Sequence, residues 1–138
     1  QTPGSIGYVE LAYAEQNKLP YADLKNQAGK FVKPSIEGTT AAAAGAAANM
    51  PEDLRVSIVN APGDTAYPIA GFTYILVYKD QTDEVKGKAV ADFLWWAVHD
   101  GEKYANGLLY APLPDPVLTK VEAKLRLLNL GGKPLLNK

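Results

Sequence analysis

The 138-residue sequence contains no cysteine and a single histidine, His99. Without cysteine, the chain can form no disulfide, no thiolate metal site and no cysteine nucleophile. One histidine is also too few for a multi-histidine metal site or a histidine proton relay built from this chain alone. Any binding chemistry therefore depends on hydroxyls, carboxylates, arginines and backbone groups.

Long apolar runs and an excess of charge of one sign are also missing. No run approaches the roughly 20 apolar residues needed to cross a bilayer, and no basic segment precedes an apolar one at the start, so we expect no signal peptide in this sequence. The formal net charge is −1, and the lysines form no basic stripe, so nucleic acid is not an expected partner. With 47% hydrophobic residues, the composition is typical of a globular domain.

Motifs that hold nucleotides or metals are absent from the sequence. No P-loop, dinucleotide fingerprint, EF-hand loop or zinc signature occurs. The carboxylates Glu10, Glu15, Asp23 and Asp64 have no paired spacing typical of a glycosidase or a metal site. We therefore expect no cofactor and no bound metal.

The first 60 residues predict short, interrupted elements. IGYVE, residues 6–10, predicts a short strand, and a helix follows it. A turn signal at Asn26 to Gly29 predicts a hairpin. The alanine-rich stretch predicts a helix from about Thr40 to Asn49, stopped by Pro51. LRVSIV, residues 54–59, predicts another strand.

The stretch IAGFTYILVY, residues 69–78, is almost entirely apolar or aromatic. Such a pattern predicts a central strand whose two faces are both covered by helices. The preceding segment, Pro62 to Pro68, holds two prolines and a Gly-Asp turn, which favour a connection with a defined path.

Two longer helices are predicted in the last third of the chain. The first begins near Asp83 and Glu84 and is closed by Gly101. The second has Asp115 as its N-cap and Gly131-Gly132 after its end. It places Val117, Val121, Leu125 and Leu128 on one face. Mixed strands and helices in these numbers predict an α/β fold.

Several stretches resemble the periplasmic phosphate-binding proteins of high-affinity phosphate ABC transporters. PGSIGYVELAYAEQNKLPYADLKNQAGKFV resembles a second-lobe segment of that family, and GDTAYPIAGFTYILVYKDQ resembles its return crossing and the strand that follows. KGKAVADFLWWAVHDGEKYANGLLYAPLPDPVLTKVEAKL resembles the C-terminal helices, and GGKPLL the end of the chain. The resemblance is continuous in order and covers essentially the whole sequence.

The resemblance implies an α/β chain that is part of a two-lobed periplasmic-binding-protein fold of type II. Residues 1–65 would be the C-terminal part of the second lobe, and residues 66–138 would return to the first lobe. Ala66, Tyr67 and Pro68 would form the hinge. The chain would be the C-terminal portion of a longer protein, incomplete without upstream sequence.

The resemblance also implies a function and partners. The protein would be a non-enzymatic, periplasmic or secreted solute-binding protein that closes on inorganic phosphate and delivers it to an ABC permease in the membrane. Its partners would be phosphate, the permease and the upstream N-terminal half of the same protein. The family's phosphate contacts come from upstream sequence, so none transfers to a residue of this chain.

Thr39 and Thr40 are the weak local candidates for an anion contact. With Gly38 they would open the alanine-rich helix, where free N–H groups and two hydroxyls would face a ligand. Glu37 beside them would repel an anion, and threonine is a frequent helix cap. A purely structural role is therefore the stronger interpretation.

Other polar candidates have ordinary structural interpretations. Arg55 and Arg126 could bind phosphate bidentately, but arginine is more often solvated or salt-bridged. His99 beside Asp100 could serve as a general base, but a histidine at a helix end is the more frequent arrangement.

The adjacent Trp95 and Trp96 could suggest an aromatic binding platform. They point about 100° apart on a helix, so they cannot share one flat surface. We expect one in the core and the other partly exposed.

Two functions from other classes stay open at this point. The chain could be an independent interaction module that binds a protein partner through exposed apolar surface. A phosphate-ester hydrolase is weaker, because no metal cluster and no activated nucleophile is visible.

Overall fold

The computed structural model describes residues 2–137. The helices in this range are α1 (Leu11–Gln16), α2 (Ile36–Ala47), α3 (Glu84–Ala97) and α4 (Asp115–Leu125). Two 3-10 segments span Asp100–Tyr104 and Asn106–Leu108. The strands are β1 (Leu24–Lys25), β2 (Phe31–Val32), β3 (Asp80–Gln81), β4 (Asn129–Leu130) and β5 (Lys133–Pro134). The predicted mixture of helix and strand is confirmed.

The strands form two small sheets. β1 and β2 pair antiparallel with Leu24 opposite Val32, which confirms the predicted hairpin. Gly29 has a positive φ of 77° in its turn, a conformation that glycine adopts without strain. In the second sheet β3 is parallel to β4, and β4 is antiparallel to β5.

Helix α2 begins earlier than the sequence predicted. Its N-cap is Ser35, whose hydroxyl accepts the Gly38 N–H at 2.9 Å. The helix buries a set of small side chains, Ala42, Ala43, Ala46 and Ala47. Because these side chains are short, the neighbouring chain at residues 61–66 lies very close to the helix backbone.

Helices α3 and α4 lie where the sequence predicted, with changes at their ends. Asp83 caps α3 and accepts the Lys86 N–H at 2.9 Å. Gly101 does not close α3, because the chain tightens after Ala97 and the His99 N–H already bonds three residues back, to Trp96. The N-cap of α4 is Pro114 rather than Asp115, which is the first helical residue.

The apolar face of α4 packs as predicted. Val117, Leu125 and Leu128 are buried, and Val121 packs against them. Gly131 and Gly132 form the turn between β4 and β5 instead of ending the helix, and both have positive φ. One cluster of Ala47, Met50 and Val117 joins α2 to α4. The proposed lobe boundary at residues 65 and 66 stays a prediction.

The three apolar strands predicted from composition are wrong for this structure. Residues 6–10, 54–59 and 69–78 belong to no described strand, and Leu54 has a positive φ of 64°. Leu76 is 96% exposed and Tyr78 is 86% exposed, so the segment predicted to be central and buried lies open. A strand requires backbone partners on a neighbouring strand, and residues 2–137 supply none for these segments.

None of the helices described between residues 2 and 137 has the length and apolar composition needed to cross a membrane.

Candidate functional site

Asn26 holds the segment that the sequence marked as a stiff connection. It lies in the hairpin turn but is only 5% exposed. The two hydrogens of its side-chain nitrogen are shared among three carbonyl oxygens, those of Gly63 at 3.1 Å, Asp64 at 2.9 Å and Ala66 at 3.2 Å. Its side-chain oxygen accepts the Lys30 N–H at 2.9 Å. One amide therefore joins the hairpin to the connection nearly 40 residues later.

The predicted hinge residues are held by further contacts. Ala66 is fully buried. The Tyr67 N–H donates to the carbonyl oxygen of Gly38 in α2 at 3.0 Å, and the Asn60 N–H donates to that of Pro68 at 2.8 Å. Burial also raises the pKa of the Tyr67 hydroxyl. Ala66 and Tyr67 thus lie against α2, whereas Pro68 is bonded to Asn60. A hinge role for Ala66, Tyr67 and Pro68 stays a prediction.

The two threonine candidates do not open α2, so that part of the prediction is wrong. The helix starts at Ile36, and the Thr39 N–H and hydroxyl both donate to the Ser35 carbonyl oxygen, at 3.1 and 3.0 Å. Thr40 lies a residue further into the helix. A phosphate contact by either threonine stays a prediction.

Both arginines form ion pairs, as expected from their ordinary role. Arg55 donates to Asp53 at 2.8 Å, and these bonds hold the pKa of the Asp53 carboxyl below its usual value. Arg126 donates to Glu122 at 2.8 Å, and its guanidinium lies 5.0 Å from the ring centre of Trp95.

His99 lies just beyond the end of α3, as expected, and links α3 to α4. Its Nδ1 is 2.7 Å from the Trp95 carbonyl oxygen, and its Nε2 is 3.1 Å from a Glu122 carboxylate oxygen. The imidazole stacks on Trp95 at 4.4 Å. Trp95 packs against the core, whereas Trp96 is 43% exposed, which confirms the prediction of one inner and one outer tryptophan.

Glu122 should make the free energy of unfolding depend on pH in the acidic range. Hydrogen bonds from Arg126 and then His99 hold the pKa of its carboxyl below the ordinary value. A lowered folded-state pKa stabilises the protein above the ordinary value, and this stabilisation is lost as the pH falls through the lowered pKa. We therefore expect Glu122→Gln to be less stable than the wild type at pH 7, with the difference shrinking on acidification.

Urea unfolding at a series of pH values measures this difference. Glu52→Gln is the matched control, because the Glu52 side chain is 94% exposed and its pair with Lys124 lies at the surface. It should change stability less at pH 7. A Glu122→Gln difference that is constant between pH 7 and strongly acidic conditions would contradict the assignment.

An apolar cavity of about 230 Å³ lies between residues 72–77 and helices α3 and α4. Its walls include Phe72, Ile75, Leu94, Val98, Val121 and Leu125, and Lys124 is the charged lining side chain within the described chain. No group of three or more histidine, aspartate or glutamate side chains in residues 2–137 is placed to hold a metal. The described residues therefore form an apolar pocket, and a connection at residues 63–66 held by the Asn26 side chain.

A family model described as the PBP superfamily domain matches residues 1–100. The chain belongs to the PBP superfamily. This match confirms the family resemblance seen in the sequence and the α/β fold class that goes with it.

Within the PBP superfamily, the chain is similar to curated proteins that share one name. The chain is 46% identical over 123 residues to "Phosphate-binding protein PstS" of Xylella fastidiosa (strain 9a5c), covering 89% of this chain and 34% of the relative. It is 43% identical over 133 residues to the protein of that name from Pasteurella multocida, covering 95% and 39%. It is 42% identical over 130 residues to the one from Methanocaldococcus jannaschii, covering 84% and 33%.

The chain therefore spans about a third of the length of the curated relatives it matches. The aligned regions cover 84–95% of this chain but only 33–39% of each relative.

Sequence reasoning missed Asn26 as a site residue. The Asn-Gln-Ala-Gly order predicted a turn there, and that turn exists. No local signal predicted the three carbonyl partners, because they lie 37 to 40 residues further along the chain.

Proposed function

We propose that this chain is the C-terminal portion of a two-lobed protein that binds inorganic phosphate outside the cytoplasm and delivers it to an ABC permease. The function is binding, without catalysis, and requires the upstream half of the same polypeptide. The observation that supports this most directly is the 42–46% identity to proteins named for phosphate binding, over most of this chain.

The backbone of residues 69–77 gives independent support for a missing partner. Within residues 2–137, none of its N–H or C=O groups is hydrogen-bonded to another backbone group. Apart from the hydroxyls of Thr73 and Tyr74 its side chains are apolar, and Ile75 is 65% exposed. An exposed apolar segment whose backbone N–H and C=O groups are unpaired tends to pair with another strand. We therefore expect strands from outside this chain to cover it.

Phosphate binding should require the longer polypeptide. We expect calorimetric titration to detect tight binding by the full polypeptide and binding at least about 100-fold weaker by this chain alone. The reason is that the charge-assisted hydrogen bonds that grip the anion, each contributing about 1.5–3 kcal/mol, come from upstream residues.

Sulfate is the control ligand for the same titrations. A carboxylate in the site accepts a hydrogen bond from protonated phosphate but repels fully ionised sulfate, so sulfate should bind weakly. Tight phosphate binding by this chain alone would contradict the proposal. Turnover of a phosphate ester that persists through repurification would favour the hydrolase alternative instead.

A further inference from the structure

Asn106 is the one asparagine in the sequence that is followed by glycine. The pair lies in the second 3-10 segment, Asn106–Leu108, in which no residue is buried. Glycine has no Cβ, so no side chain shields the Gly107 nitrogen from the side-chain amide carbon of Asn106. These two atoms can close a five-membered ring, a reaction that a bulkier residue after asparagine hinders.

The main-chain nitrogen of Gly107 is accessible. Its N–H donates to no main-chain carbonyl within residues 2–137. A Cβ placed on Gly107 would meet no other atom within 4 Å, so the space around this residue is open. Both groups that would react, the Asn106 amide and the Gly107 nitrogen, therefore lie at the exposed surface.

The turn that holds Asn106 is short and strained. The Leu108 and Tyr110 N–H groups donate to the Ala105 carbonyl oxygen at 2.9 and 3.0 Å, and the Leu109 N–H donates to that of Asn106 at 3.1 Å. Leu109 has a φ of 60°, in the left-handed region that is costly for a residue with a side chain. Hydrogen bonds in 3-10 segments also have poorer geometry than those in α-helices. With no core residue to anchor it, this turn should open locally at little cost.

We propose that Asn106 is a site of spontaneous deamidation, with water as the co-reactant. When the turn opens, the Gly107 nitrogen loses its proton and forms a bond to the side-chain amide carbon of Asn106. The amide nitrogen leaves with a proton as ammonia, and a cyclic imide remains. Water then splits one of the two imide bonds to the Gly107 nitrogen, giving its hydroxyl to the carbon and its hydrogen to the nitrogen. Cleavage at the side-chain carbon gives aspartate, and cleavage at the main-chain carbon gives isoaspartate.

Either product changes the turn. Both replace a neutral amide by a carboxylate, which makes the formal net charge of −1 more negative. Isoaspartate also routes the main chain through the former side chain. The Leu109 N–H then loses the carbonyl of residue 106 as its partner, because that carbonyl has become the free carboxylate. The modification is therefore expected to loosen the turn ahead of α4.

Peptide mass mapping of the full polypeptide during incubation at mildly alkaline pH tests the proposal. We expect Asn106 to deamidate at least about 10-fold faster than Asn49, which is also exposed but precedes Met50. Aspartate and isoaspartate peptides should both appear, since both come from one imide. Equal rates at the two asparagines, or aspartate without isoaspartate, would contradict the proposal.

Gly107→Ala is the variant that tests the ring closure. The added methyl group hinders the approach of the nitrogen to the amide carbon but meets no atom of the fold. We expect deamidation at Asn106 to become at least about 10-fold slower, with the melting temperature unchanged. A rate equal to that of the wild type would overturn the proposal.

The same measurement in urea shows whether the turn opens in the folded protein. The rate at Asn106 in the folded polypeptide should lie within about 10-fold of the rate in the unfolded one, as for a segment that opens locally. Stronger protection in the folded protein would overturn the inference. None of these readouts involves phosphate, so the result is independent of the proposed function.

Discussion

Asn26→Asp is expected to lower the free energy of unfolding by about 3 kcal/mol or more, the largest loss expected from any substitution considered for this chain. Aspartate has the same shape but no N–H to donate. The carbonyl oxygens of Gly63, Asp64 and Ala66 would then face a carboxylate in a position that is 5% exposed. Three acceptors would lose their donor and meet a like partial charge.

The loss from Asn26→Asp should depend on pH with a definite sign. Burial among carbonyl oxygens raises the pKa of the introduced carboxyl group, because the charged form is disfavoured. A raised folded-state pKa of an acid means that folding favours the protonated form, so the deficit is largest at neutral pH and shrinks as the pH falls. The protonated group also regains one donor.

Urea unfolding monitored at pH 7 and at acidic pH measures both effects. Asn17→Asp is the matched control, because Asn17 is exposed and its amide nitrogen donates to the Tyr13 carbonyl oxygen alone, at 2.9 Å. It should cost about 1 kcal/mol or less. Hydrogen exchange at Tyr67 should also accelerate in Asn26→Asp. Equal stabilities of the two variants would contradict the role of Asn26 as the brace of the connection.

Gly45→Ala is expected to destabilise the protein by about 1–3 kcal/mol, opposite in sign to helix propensity. Propensity alone predicts a gain of about 1 kcal/mol, because Gly45 lies inside α2. However, an added Cβ would lie 2.2 Å from the Pro62 carbonyl oxygen. That oxygen belongs to the backbone of the connection braced by Asn26, so it can move only if α2 and the connection separate.

Thermal or urea unfolding decides the sign of the Gly45→Ala effect. Gly107→Ala is the control, since a Cβ at that glycine meets no other atom within 4 Å. It should be neutral within about 0.5 kcal/mol. A more stable Gly45→Ala protein would mean that the close approach of α2 to Pro62 is absent in solution.

The parts of the fold that local signals specify were predicted well. Asp83 caps α3 because its side chain bonds three residues ahead, and the hairpin at Asn26 to Gly29 needs only a turn and two short strands. The start of α2 was misplaced because Ser35 and Thr39 are both good caps. Only the packed structure shows that Ser35 is the one used.

The apolar segment 69–78 shows the limit of sequence patterns in a chain of this length. Its composition indicated a buried strand. Composition shows that a segment suits a buried sheet position, but it does not show whether neighbouring strands are present to pair with it. In residues 2–137 the partners are absent and the segment stays open. Composition alone therefore could not decide whether this segment is paired in a sheet of the described structure.

By itself, the sequence determined the α/β class, the superfamily, the two long C-terminal helices and the exclusion of cysteine and multi-histidine chemistry. These depend on residue type and on spacings of a few positions. Only the tertiary structure showed that the Asn26 side chain is hydrogen-bonded to the backbone of residues 63–66. It alone also showed that the Pro62 carbonyl lies against Gly45 and that an apolar pocket lies beside residues 72–77. Each of these depends on groups far apart in sequence, whose distance is set by packing and not by periodicity.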